Sequence, residues 1–224
     1  MNIASNITAM RRQLPAHVKL LVVSKTQSVT NIAEAYKAGQ RLFGENKARE
    51  LASKASQLPS DIEWHFIGHL QTNKVRLIAS FVHTIQSVES LRLLTIIDNE
   101  ARRANRVINC LLQFHIATEE TKFGLDMDEA HALLKSQEYK AMQNIRINGV
   151  MGMATYTDDE SIVRNEFRML RDFYGQLCSS YFAGNASFRE ISMGMSGDYL
   201  SAIEEGSTIV RIGSLVFGER QYNI

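Results

Sequence analysis

Cysteine and proline are scarce in this sequence, and neither sign of charge dominates. The 224 residues hold two cysteines, two prolines and a formal net charge of +1. Cys110 and Cys178 stand in unrelated contexts. They give neither a metal-ligand spacing nor a disulfide framework, which suits a reducing compartment. With 25 Lys and Arg against 24 Asp and Glu, the chain lacks a basic footprint for nucleic acid and a field for an anionic membrane surface. No apolar run is long enough to span a bilayer, and residues 1–17, MNIASNITAMRRQLPAH, lack the apolar core of a secretory leader. The expectation is a cytoplasmic protein with no nucleic-acid and no membrane partner. With no Gly/Ser-rich tract to mark a linker, residues 1–224 are expected to form a single domain.

What is present is an alternation. Hydrophobic residues make up 45% of the chain, enough for a sizeable core. Ile3, Ile7 and Met10 lie at helical spacing, and Pro15 closes that first helix. Strands are then expected near 19–25, 42–46, 64–68, 81–86, 107–117, 145–151, 188–193 and 208–217. Helices are expected between them, near 30–38, 47–58, 72–80, 89–105, 126–138, 158–179 and 198–205. Alternation of this kind implies a parallel sheet. Eight repeats point to an α/β fold with a single closed (β/α)8 TIM barrel and an extra N-terminal helix. No G-x-G-x-x-G follows the first strand, which weakens an open dinucleotide-binding sheet.

In such a barrel the chemistry sits at the C-terminal ends of the strands. Lys25 closes the apolar run Leu20-Leu21-Val22-Val23. A lysine there snorkels, pairs with an acid, or acts as a nucleophile in a pocket. At the other end of the chain, Ser-Met-Gly-Met-Ser-Gly-Asp (192–198) and Gly213-Ser214 resemble the phosphate-binding loops that follow strands seven and eight. The competing reading of 192–198 is a capped helix, with Ser196 as N-cap and Asp198 in the first turn. Arg211 stands inside the apolar run Thr-Ile-Val-Arg-Ile and needs an acceptor, either a carboxylate such as Glu45 or a ligand. Pyridoxal 5′-phosphate (PLP) carries an aldehyde, a phosphate and a ring acceptor, and so matches an amine, a cradle and an arginine together. Lys122 is a further source of positive charge near the amine.

Seven segments then carry a resemblance. They are Val-Val-Ser-Lys-Thr (22–26), Phe-Gly-Glu-Asn (43–46), Trp-His-Phe-Ile-Gly-His-Leu-Gln-Thr-Asn-Lys (64–74), Lys-Phe-Gly-Leu (122–125), Ser-Met-Gly-Met-Ser-Gly-Asp (192–198), Val-Arg-Ile-Gly-Ser (210–214) and Phe-Gly-Glu-Arg (217–220). In this order they resemble the YggS/PROSC family of pyridoxal phosphate homeostasis proteins, over nearly the whole chain. The resemblance implies a barrel of the alanine racemase N-terminal domain type. It implies that Lys25 holds PLP as a Schiff base and that Ser192, Met193, Ser196, Gly213 and Ser214 frame the phosphate. It places Arg211 against the pyridine nitrogen and Asn46 at the cofactor face. Family members resemble carriers or regulators in vitamin B6 and amino-acid balance, with PLP-dependent apo-enzymes as the implied partners. The sequence departs from the family pattern at Gln27-Ser28, where Lys-Pro is common, and at Val150, where leucine is commoner.

A racemase pairs its barrel with a further C-terminal domain that contributes a second base. The chain ends at Ile224, shortly after the eighth strand, so a monomeric carrier is expected rather than a catalyst. Two other classes stay open: a weak racemase-like PLP enzyme, and a metal-dependent hydrolase built on His65, His69, His83 and His115. For the histidines, packing within the core or rim is the simpler expectation, and no metal is assigned.

Overall fold

Short runs of β-branched and aromatic residues, each closed by a polar or glycine-containing turn, set the strands of this protein. The structure is a computed structural model and describes residues 2–118 and 123–218. The strands are β1 (Lys19–Val23), β2 (Leu42–Glu45), β3 (Glu63–Phe66), β4 (Thr84–Val88), β5 (Ile108–Phe114), β6 (Ile145–Gly152), β7 (Glu190–Met195) and β8 (Ile209–Ile212). They pair in sequence order as a closed parallel barrel. Pairing of β1 with β8 closes it, with Leu21 opposite Arg211.

The helices are α1 (Ile3–Gln13), α2 (Val29–Lys37), α3 (Ala48–Ala55), α4 (Leu91–Arg103), α5 (Met127–Lys135), α6 (Gln137–Ala141), α7 (Glu160–Tyr181), α8 (Tyr199–Glu204) and α9 (Ser214–Phe217), with a 3-10 segment at Thr72–Leu77. The extra helix α1 is present. Its N-cap Asn2 accepts from Ser5 N–H, and it buries Ile3, Ile7 and Met10. Asn6 Nδ2 donates to Val216 O at 2.9 Å, which ties α1 to α9 across the length of the chain.

Strand alternation divides the core in two. Leu20, Val22, Phe43, Trp64, Phe66 and Phe167 belong to the large apolar layer between barrel and helices. Leu21, Leu111, Met151 and Ile209 are equally buried but stand outside that layer, in the lumen. Each fully buried side chain of this size is worth about 1.5–3 kcal/mol relative to exposure.

Four expectations need correction. The fourth strand begins at Thr84, because Phe81 and Val82 N–H turn back onto Ile78 O. The eighth stops at Ile212: Gly213 opens α9, where the apolar run 214–217 was expected to stay extended. The seventh, expected to end at Met193, runs on to Met195, so Gly194 and Met195 are strand residues. The helix expected over 126–138 breaks at Ser136, whose hydroxyl caps α6 by accepting from Tyr139 N–H.

Candidate functional site

Lys25 follows β1 and sits on the lumen side by alternation with Leu21 and Val23. Its backbone neighbours are fixed from outside the barrel. Ser24 Oγ donates to Glu45 Oε1 at 2.6 Å. Lys54 of α3 donates to Ser24 O at 2.8 Å, to Glu45 Oε1 at 2.8 Å and to Glu50 Oε1 at 2.6 Å. Glu50 also accepts from Thr26 N–H at 2.7 Å. Thr26 is held at φ +67°, a left-handed conformation rare for a β-branched residue. The peptides on both sides of Lys25 are therefore clamped while its side chain stays on the lumen side. Burial pushes the Glu45 carboxyl up, and the bonds from Lys54 and Ser24 only partly offset it. Burial also raises Glu50, but its bonds to Lys54 and Thr26 outweigh that and hold it below the usual carboxylate range.

Arg211 is 4% exposed and makes its bonds to neutral groups. NH1 donates to Ser192 O at 2.7 Å and Ser192 Oγ at 2.9 Å; NH2 donates to Gly152 O at 2.8 Å. Glu45, considered above as its acceptor, is paired with Lys54 instead. Burial lowers the guanidinium to about 10, so it stays charged at neutral pH.

The two glycine-containing turns meet. Gly213 N–H donates to Ser196 Oγ at 3.4 Å. Ser196 is not the N-cap of α8; Asp198 holds that position, and its carboxylate accepts from Met195 N–H at 2.5 Å. Gly194 adopts φ +93°, and a Cβ there would stand 2.6 Å from the Ala202 Cβ, so only glycine brings β7 this close to α8. Ser214 opens α9. Met193 is fully buried in the outer apolar layer, so its side chain points away from the lumen. Ser192 lies inside the lumen, bonded to Arg211 and Gln86.

Asn46 follows β2 in the lumen alternation of Leu42 and Gly44. Its buried Oδ1 has no hydrogen-bond partner, and neither has the buried Ser87 Oγ near the end of β4. Gly68 allows this packing, because a Cβ there would stand 2.4 Å from Asn46 O. His69 lies in the loop after β3, stacked on Phe123 at 4.3 Å and bonded to Glu89 at 2.8 Å. Lys122 lies outside the described residues.

A second polar assembly runs down the lumen. Ser192 Oγ donates to Gln86 Oε1 at 2.7 Å, and Gln86 Nε2 lies 2.8 Å from His65 Nδ1. Sequence reading missed Gln86, which carries no signal beyond a polar residue in a strand. It also missed the Glu50–Lys54 clamp, whose i,i+4 spacing is visible in the sequence. His65, His83 and Glu63 come together near the strand N-terminal ends, their ligand-capable atoms within 4.8 Å of one another. Cys110 and Cys178 are free thiols. Among the described residues, no helix is long and apolar enough to cross a membrane.

The residues present at the mouth fit PLP: a lysine, a buried guanidinium bonded to neutral groups, facing glycine turns and unpartnered buried acceptors. Fold and site together define a parallel-barrel protein of the alanine racemase N-terminal domain class, and the family model of that description matches residues 1–221. Alanine racemase from Clostridium difficile shares the fold, with a TM-score of 0.72 over 99% of this chain and 57% of its own at 13% identity. Much nearer in sequence is a pyridoxal phosphate homeostasis protein from Aquifex aeolicus, 40% identical over 206 residues, 91% of this chain and 88% of that protein. The Homo sapiens protein of the same name is 36% identical over 95% of this chain and 80% of its own. PipY of Synechococcus elongatus, whose structure was solved with PLP bound, superposes with a TM-score of 0.86 at 34% identity, over 96% of this chain and 100% of that one. The chain belongs to the pyridoxal phosphate homeostasis protein family.

Proposed function

We propose that this chain holds PLP reversibly at the barrel mouth and serves the homeostasis of that cofactor, as a carrier rather than a catalyst. The observation that carries the reading is Lys25 at the end of β1 together with buried Arg211 on the neighbouring strand, bonded only to neutral groups. When bound, PLP supplies an aldehyde that a lysine amine captures reversibly. Lys25 is the amine, and the Glu45–Lys54–Glu50 clamp fixes where it starts from. Gly213 N–H, Ser214 and the Ser196 hydroxyl take the phosphate. Met193 contributes backbone alone. Ser192 is already engaged and positions Arg211. Arg211 donates to the ring nitrogen, and Asn46 lines the ring face. An arginine cannot hand over its proton at ordinary pH, so the nitrogen facing it stays unprotonated and the ring is a poorer electron sink. That chemistry favours holding over turnover. PLP-dependent apo-enzymes are the recipients in this reading, and the protein acts as a cytoplasmic monomer.

The test is borohydride reduction of the PLP-loaded protein followed by peptide mass spectrometry. The pyridoxyl mass is expected on the peptide carrying Lys25, and Lys25→Ala is expected to lose both that mass and the visible absorbance band. An unchanged band in Lys25→Ala overturns the assignment. Brisk exchange of amino-acid α-hydrogens for deuterium would replace the carrier with a racemase-like enzyme.

A further inference from the structure

One cavity of the molecule lies away from the mouth. It is an open bowl of about 790 Å³ at the opposite end of the barrel, lined by the N-terminal ends of the strands. Its residues include Lys19, His65, His83, Arg146, Asn148 and Glu190. Two buried polar atoms among them lack any partner: His65 Nε2 and Asn148 Oδ1. His65 is 4% exposed, so this nitrogen is desolvated by the protein and satisfied by none of it.

The lumen chain decides what His65 offers the bowl. Arg211 can only donate, so Ser192 Oγ accepts from it. The Ser192 hydroxyl hydrogen then goes to Gln86 Oε1. Turning the Gln86 amide round would leave that hydrogen without an acceptor in a fully buried site. With the amide as it stands, Gln86 Nε2 donates to His65 Nδ1, and the imidazole carries its hydrogen on Nε2. Burial, with His83 and Lys19 nearby, holds the imidazole down to about 3, so it is neutral. The wall of the bowl therefore holds an unpartnered N–H donor at His65. A nitrogen carrying that hydrogen has no lone pair for a metal, despite the closeness of Glu63 and His83.

The charges of the bowl point the same way. Lys19 and Glu190 neutralise each other at 2.5 Å, and Arg41 is paired with Asp61. Arg11 is turned to the carbonyls of Ala38 and Gly39. Arg146 is exposed and has no carboxylate partner among the described residues. Glu63, 3.8 Å from His83, is the one carboxylate left on the wall.

We propose that this bowl is a second ligand site, for a small carboxylate that also carries a hydrogen-donating group. The carboxylate accepts from His65 Nε2–H and pairs with Arg146, and its hydroxyl or ammonium donates to Asn148 Oδ1. The site stands apart from the PLP reading, because it occupies the other end of the barrel.

L-lactate is the probe, with chloride at matched ionic strength as the control. Long-range proton–nitrogen spectra of histidine-labelled full-length protein read the His65 tautomer and its Nε2–H directly. Lactate is expected to move that resonance saturably, in wild type and in Lys25→Ala alike. Arg146→Gln, an exposed change, is expected to weaken lactate by roughly tenfold, the worth of one charge-assisted bond. A shift reproduced by chloride, or an affinity untouched by Arg146→Gln, overturns the proposal. So does a zinc titration that moves His65 to the Nδ1–H tautomer, which would make the cluster a metal site.

Discussion

Three side chains hold unusual positions for their chemistry: Lys25 and Arg211 at one end of the barrel and His65 toward the other. The first two were legible in sequence because a cation interrupting an apolar strand run is conspicuous in one dimension. His65 was visible only as a histidine, and its expected satisfaction within the core is half met: Nδ1 is bonded and Nε2 is not. Its partners stand far off along the chain. Gln86 is 21 residues from His65 and 106 from Ser192, so the chain exists only once the barrel closes. The imidazole makes a prediction of its own. It titrates near 6.5 when unfolded and near 3 when folded, so the unfolded state binds the extra proton between those values. Stability contributed by the neutral imidazole is complete above about 6.5 and is lost as pH falls towards about 3. Denaturant unfolding of His65→Gln across that window is expected to show a shallower pH slope than wild type, by up to about 1.4 kcal/mol per pH unit. Equal slopes would show that the imidazole is protonated in the fold.

The unit at the scale of elements is α3 against the ends of β1 and β2. Lys54, on the buried face of α3, joins Glu45, Glu50 and the Ser24 carbonyl. Removing one partner of a buried ion pair strands the other. Lys54→Met is expected to cost about 3–5 kcal/mol at neutral pH by denaturant unfolding. The loss should shrink on acidification, because Glu45 can then take a proton and give up its charge. Adding Glu45→Gln to Lys54→Met should restore part of it; a double variant no more stable than the single would mean that the pair is not what Lys54 supports. At this scale the sequence located every strand and misjudged where some of them stop. Ser-Leu-Val-Phe after Gly213 is as apolar as a strand, and periodicity cannot distinguish it from one turn of helix. The register between β7 and β8 is likewise irregular from Ser192 to Met195, and no local pattern encodes it.

The whole molecule is a ring, and its closure rests on contacts between the two halves of the chain: β1 on β8, and α1 on α9. We propose that it unfolds as one domain. Trp64, the single tryptophan, lies in the outer apolar layer on β3 and reports that layer by fluorescence. Its denaturant transition and the loss of helix by circular dichroism are expected to coincide, and two separated midpoints would divide the chain into independent units. Eightfold alternation made the ring readable from sequence, whereas the polar thread along its axis was not. That thread places in series a guanidinium that keeps its hydrogens at ordinary pH and an amide whose two ends cannot exchange roles. Along that thread a proton therefore has no carrier. The thread can pass polarisation from bond to bond while carrying no charge.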